Sequence, residues 1–445
     1  MKRLFAPYTP IIVSLLCTLS LCSCSTINRL CTAYLPMQDG RDAVMSTSSN
    51  KLPGRKPTLF SDSLPGIIIE SNEIYGNNRG GMRVRGSNPL LIRNCNLYMN
   101  GRSGLRLEKG ATASVEESAI YLNGTSGVDL LDAKRVEFKG VSVFKNLAAG
   151  FRIRTTDKTP RVHSCVSISD TRVFLNGQAG VFSAPAAGSR IELDILRSEV
   201  FENKKAGIRI EGSTILSAQK DSVFSNGSAG ISVFSRMADL ALLDVFENKI
   251  FFNQESGILV NGGVTGEKGI SNNWIYNNYK SGIASGLGAK YRSIYTKLGI
   301  FHNTIVANGS SLDGAGIRID NNGTMEIENN IIVYNFRTGI MTYHCGDASH
   351  NLLFANGQIP AYDPERDYAF LIRRYQYGGC PASGSGDILK DPLFKDPDDY
   401  DFTLFKDSPA IGAAKRLSMP YFRRFHQKDM GPLLLPGPTV QGSGR

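Results

Sequence analysis

Between about residues 66 and 357, one arrangement of apolar and polar positions keeps returning. An aliphatic and an aromatic residue are followed by a free position, an Asn, three further residues, a Gly, and then apolar residues in alternation. LYMNGRSGLRL, IYLNGTSGVDL, VFKNLAAGFRI, VFLNGQAGVFS, VFENKKAGIRI, VFSNGSAGISV and IFFNQESGILV all follow it. The Asn positions are Asn77, Asn100, Asn123, Asn146, Asn176, Asn203, Asn226, Asn253, Asn278, Asn308, Asn335 and, more weakly, Asn356, spaced 21 to 30 residues apart with 23 recurring. Gly stands four residues after the first nine and after Asn335; an insertion delays it to Gly316 after Asn308. Beyond Gly, alternate positions are apolar, as in Leu105/Leu107, Phe151/Ile153, Ile208/Ile210, Ile231/Val233 and Ile317/Ile319. A period of two predicts a strand with one buried face. Gly suits a tight bend. Asn tolerates left-handed backbone, and its amide can bond to the same Asn one coil up. No segment carries a 3.6-residue period, so helical repeats are excluded. A unit of this size cannot hide its own apolar face, so the units must stack. Twelve of them at about 4.8 Å each predict a parallel solenoid roughly 55–60 Å long.

The repeat resembles the right-handed parallel β-helix family, the pectate-lyase-like or carbohydrate-binding-and-hydrolase repeats. His302-Asn303-Thr304-Ile305-Val306 resembles the Asn-Thr-Ile strand common in that family. Asp391-Pro392-Leu393-Phe394, Asp401-Phe402-Thr403-Leu404, Ser408-Pro409-Ala410-Ile411-Gly412-Ala413 and Asp429-Met430-Gly431 are similar to the closing segment of many bacterial β-helix proteins. The resemblance implies an all-β fold, a right-handed parallel β-helix solenoid of about twelve coils with a C-terminal cap. The expected divisions are a leader over 1–23, a tether and N-terminal cap over 24–60, the β-helix over 61–357 and the capping segment over 358–445. A cap is needed because the last coil exposes unpaired strand edges.

Composition excludes some classes. With 445 residues, 41% hydrophobic, the chain is too apolar for disorder. Eight Cys do not make a disulfide-dense scaffold in a chain this long. Fifty Lys+Arg against 40 Asp+Glu give +10, which permits an anionic partner without selecting one. The first residues are an address: Lys2 and Arg3, a short apolar stretch interrupted by Ser and Thr, then Leu21-Cys22-Ser23-Cys24. That ending resembles the bacterial lipobox, which implies lipidation of Cys24; an ordinary secretory signal is the alternative. Ser25 in place of Asp, by resemblance to enterobacterial sorting rules, favours the outer membrane. The expected location is therefore exported and lipid-anchored to the cell envelope. Cys31, Cys95, Cys165, Cys345 and Cys380 remain, an odd number; Cys345 and Cys380 flank the last irregular stretch and can pair.

Candidate chemistry centres on the outward positions of the strand after Gly. Arg83, Arg106, Asp129, Arg152, Phe182 and Arg209 fall in one row, with Arg85, Glu108 and Arg154 beside it. Such side chains stack about 4.8 Å apart. One reading is a basic stripe that grips an anionic polymer, Arg83, Arg106, Arg152 and Arg209 supplying planar forks and Phe182 a stacking face. The other is a ladder of ion pairs, Arg106–Asp129–Arg152 and Arg85–Glu108. Loop insertions after this strand suit a rimmed cleft and equally a tolerant turn. Tyr343, His344, Asp347 and His350 offer a weak base, acid and orienter set for uronate chemistry. His302 and His350 sit beside Asn residues and read first as structural. The Asp-Pro-His-Glu segment of the mannuronan epimerases and the paired aspartates of the polygalacturonases are absent. No cofactor or metal site is expected, although the acidic run from Asp387 to Asp407 leaves room for calcium. The expected function is a cell-envelope lipoprotein binding polysaccharide, acidic in particular, or mediating envelope contacts, with its membrane link through the N-terminal lipid and no nucleic-acid partner. Two alternatives stand beside it: a lyase, epimerase or hydrolase acting on an acidic glycan, and an accessory protein resembling copper-site maturation factors.

Overall fold

The computed structural model describes residues 43–46, 66–156, 163–235, 241–266, 268–286, 297–310, 314–319, 324–342, 348–357, 370–372, 386–417 and 428–432. All belong to the compact unit Leu35–Arg445. Cys24, Tyr343, His344, Cys345, Asp347 and Cys380 lie outside the described residues.

Three parallel sheets wind around one core. Each coil contributes a strand to sheet A, then B, then C, as in Leu105–Glu108, Thr112–Glu116 and Ala119–Tyr121. Among the described residues the sheets hold 13, 13 and 12 strands, and every neighbour in a sheet is a strand one coil away. Registers run without slip in the early coils: Leu105 pairs Val128 and Val128 pairs Phe151. Alternation places Leu105, Leu107, Val128, Leu130, Phe151 and Ile153 inside, all fully buried. The period-two reading after Gly is thereby sheet A.

The Asn of the repeat closes the turn from sheet C to sheet A. Its Nδ2 donates to the Oδ1 of the next Asn, at 2.8 Å for Asn77 to Asn100 and 3.0 Å for Asn100 to Asn123. The chain of amides continues through Asn278 and Asn308 to Asn335 and Asn356. Nδ2 also donates to the preceding coil, from Asn226 to Val200 O, while Oδ1 accepts a backbone N–H, as from Asn203 N. A buried amide is thus satisfied on every side, which is the condition for burying it. Asn is not the left-handed residue of this turn. The residue before it is: Met99, Leu122, Leu175 and Phe252 all have positive φ.

Gly four residues on is there for space rather than for bending. A Cβ on Gly207 would lie 2.8 Å from Asn226 Nδ2 and 2.8 Å from Gly230 O. The ladder and this strand approach too closely for any side chain.

A second polar ladder, between sheets B and C, runs from Thr171 through Ser198 and Asp221 to Asn248, Asn273, Asn303, Asn330 and Asn351; Val141 separates it from Ser118 further up. Asp221 is its odd rung. Its Oδ1 accepts Ser198 N–H at 2.7 Å, but Oδ2 is buried without a partner. Burial pushes this carboxyl well above the usual range.

The described C-terminal residues lie mainly along the side of the solenoid. Ile388 pairs with Leu352 at the end of sheet C. Phe394–Asp396 and Asp401–Leu404 then form an antiparallel pair, and Phe394, Phe402, Ala410 and Met430 pack on Tyr276, Val306, Ile331 and Val333 of sheet C's outer face. His302 ties this segment down: its Nδ1 lies 3.2 Å from Asp429 O, and burial lowers its pKa to about 4, so it is neutral at pH 7.

Two outcomes follow. Asn226→Leu strands Asn203 and the Val200 carbonyl, and should lower unfolding free energy by roughly 3 kcal/mol in a denaturant titration. For Asp221 the folded chain holds the proton more tightly than the unfolded chain. Its contribution is complete below about pH 4 and is lost as pH rises toward the raised folded value. Asp221→Asn should therefore raise the melting temperature at pH 7, and by less at pH 5.

Candidate functional site

The outer face of sheet A in its first coils carries five arginines around two buried acids. Parallel pairing stacks Arg83, Arg106, Asp129 and Arg152 in one row, and Arg85 and Glu108 in the next. Glu108 is 2% exposed and accepts from Arg83 at 2.8 Å, from Arg85 at 2.6 Å and from Arg106. Asp129 is 0% exposed and meets Arg152 at 2.9 Å, Arg154 at 3.3 Å and Arg106 at 3.6 Å. The arginines themselves keep 24–39% of their side-chain surface. The acids lie beneath and the guanidinium groups form the rim.

Arg83, Arg106, Arg152 and Arg209 each pair with a carboxylate, so the ion-pair ladder is the arrangement found. In these pairs, five guanidinium groups share two carboxylates. Short charge-assisted bonds to fixed acids hold the forks in place before anything binds. Arg209 stands apart. It pairs with Glu211 at 2.6 Å and lies 4.8 Å over the Phe234 ring and 6.0 Å over Phe182. Phe182 therefore shares its surroundings with a guanidinium.

The remaining candidates are placed less productively. Of the Tyr343, His344, Asp347 and His350 set, only His350 is described; its Nδ1 is buried without a hydrogen-bond partner. Cys95 is buried and Cys165 half-buried, and burial with a bond to Glu192 pushes the Cys165 thiol up to about 11, away from a reactive thiolate. Among the described residues, no group of three or more His, Cys, Asp and Glu is arranged to hold a metal ion.

Sequence reasoning did not anticipate one outward feature. The aromatic residue two positions before the Asn forms a continuous stack on sheet C from Tyr75 through Tyr98, Tyr121, Phe144, Phe174, Phe201, Phe224 and Phe251 to Tyr276, at 4.8–5.0 Å with rings within 12° of parallel. Its signal was in the alternation: Val143 and Phe144 are adjacent, so only one can face the core.

A family model described as a right handed beta helix region matches residues 59–218 and again 217–386. No curated protein shows a significant sequence match. Among solved structures, the Azotobacter vinelandii mannuronan C-5 epimerase AlgE6 A-module is 14% identical with a TM-score of 0.42, over 74% of this chain and 91% of its own. The periplasmic alginate epimerase AlgG is 16% identical with a TM-score of 0.41, over 75% of this chain and 80% of its own. Overlaps this loose leave the activity of those proteins with those proteins.

The acids are what organise the patch. Asp129→Ala should cost about 2 kcal/mol in a denaturant titration, because three arginines lose their shared partner while remaining partly solvated.

Proposed function

Because the chain belongs to the right-handed β-helix family, we propose that sheet A is its working surface and that the surface binds an acidic polysaccharide. The observation that supports this is the cluster of fixed, partly exposed guanidinium groups on one face: Arg83, Arg85, Arg106, Arg152 and Arg154 around Glu108 and Asp129. Arg83 and Arg106 stand on adjacent coils about 4.8 Å apart and Arg152 two coils further on, a spacing that suits a polymer with one carboxylate or sulfate per residue. Arg209 and Phe182 extend the same face toward later coils. Two buried acids lower the cost of ordering the arginines when a ligand arrives.

The protein is read as an exported lipoprotein held at Cys24, with the outer membrane as its site and the Cys345–Cys380 pair, if oxidised, closing the last irregular stretch. Its role is then to bind glycan or to hold envelope components together through sheet A. An enzyme reading would add a proton-transfer group to this face, and Tyr343, His344, Asp347 and His350 are its candidates.

The test is titration calorimetry of the full chain with a polyuronate and with a neutral glucan, at low and high salt. Binding to the polyuronate should weaken with salt, and Arg152→Ala and Arg209→Ala should each weaken it by about tenfold. Equal binding of the neutral glucan, or indifference to both substitutions, would sink the proposal. Appearance of the ultraviolet absorbance of unsaturated uronates would move the assignment to a lyase.

A further inference from the structure

The turn between sheets C and A carries an apolar ridge that neither the core nor the backbone asks for. In the early coils, the residue after the sheet B strand and the residue after the sheet C strand adopt a left-handed conformation. At the corner between sheets B and C, those residues are Asn94, Glu117, Gly140, Asp170 and Arg197. This is ordinary chemistry for an exposed left-handed position. At the corner between sheets C and A, the same backbone is held in the same coils by Met99, Leu122, Lys145, Leu175 and Glu202. Bulky aliphatic side chains are disfavoured there, yet Met99 is 60% and Leu122 48% exposed, and Leu147, two residues past Lys145, is 73% exposed. The two corners are a comparison within one molecule: in like geometry, aliphatic residues hold three of the five left-handed positions at one corner and none at the other.

Later in the chain the same corner has a known cover. Phe252, at the left-handed position of its coil, meets Tyr400 at 5.6 Å, and Tyr276 meets Tyr400 at 5.3 Å. That cover is aromatic and acidic together, since Asp396, Asp398, Asp399 and Asp401 surround Tyr400 in sequence. The early coils have the complementary charge. Segments 73–80, 96–103, 119–126, 142–149, 172–179 and 199–206 contain six cations, Arg79, Arg102, Lys145, Arg172, Lys204 and Lys205, against Glu73, Glu199 and Glu202. Arg172 and Glu199 pair with each other at 2.9 Å.

We propose that this ridge, Met99, Leu122, Leu147 and Leu175 with the basic residues beside it, rests on an anionic lipid surface. An occupant must be apolar and anionic at once. A sugar chain does not qualify, because the neighbouring aromatic stack closes its own ring faces and offers only edges. A second copy would bring equal positive charge against the ridge. A turn between two sheets is convex, so a peptide along it would be held from one side only. A bilayer interface instead closes around a protruding apolar row, while its headgroups meet the lysines and arginines. The contact is separate from sheet A and stands whether or not that sheet binds glycan.

The experiment uses the full chain and vesicles of phosphatidylcholine containing phosphatidylglycerol, with and without brominated acyl chains. Leu147→Trp introduces an indole on the ridge and Lys220→Trp one at the corner between sheets B and C, where Lys220 is the next left-handed residue after Arg197, each read above the signal of Trp274. Brominated chains should quench the Leu147→Trp indole and leave the Lys220→Trp indole unchanged. Met99→Asn/Leu122→Asn/Leu175→Asn, which places a residue tolerant of left-handed backbone at each site, should keep the melting temperature and reduce quenching of Leu147→Trp by about tenfold. Equal quenching of both indoles, or none at the ridge, overturns the proposal. Self-association without lipid that the triple variant abolishes overturns it in favour of a second copy.

Discussion

Every coil of this protein lies one strand spacing, about 4.8 Å, from the next, and parallel pairing without slip forces each side chain onto its counterpart above and below. That constraint selects groups able to stack on themselves. Asn does so because its amide presents a donor and an acceptor on opposite sides, so Asn123 receives from Asn100 and gives to Asn146. Planar rings do so at van der Waals distance, as Phe174 and Phe201 show at 4.9 Å. A carboxylate does not, and Asp221 in the second ladder is accordingly buried with an oxygen that no donor reaches.

The same rule sets the electrostatics of sheet A. A row of arginines alone would stack like charge on like charge. Asp129, between Arg106 and Arg152, interrupts the row, and Glu108 does the same for the row beside it. Burying two acids under five guanidinium groups offsets that repulsion. What results is a guanidinium-lined surface whose side chains are already oriented, on closely packed sheets.

Sheet C has a different fate along its length. Its later coils are covered by the chain itself, with Phe394, Phe402 and Met430 closing over Tyr276 and Ile331. Its earlier coils expose ring edges and the leucines of the adjoining turn. One solenoid thus carries a charged face and an amphipathic corner on neighbouring sides, each built by repeating a single position through the coils. A repeat architecture makes such stripes readily, because one choice of residue per coil becomes a line along the axis.

Much of this was legible in the amino-acid order. Repetition of Asn, Gly and alternating apolar residues determined a parallel stacked fold, because only stacking hides a face that one unit of this length cannot hide. The amide ladder was legible too, since identical residues in phase must meet. The roles within the turn were not: the left-handed residue is Met99 or Leu122 rather than the adjacent Asn, and Gly207 makes room for Asn226 rather than bending the chain. Those are facts of packing between coils, and a linear pattern does not contain them. Likewise the sequence placed Arg83, Arg106, Arg152 and Arg209 on one face, but only the tertiary structure decided that all four are paired and that Glu108 and Asp129 lie beneath them. Depth of burial depends on how far neighbouring side chains fold over a position, and register alone does not fix it.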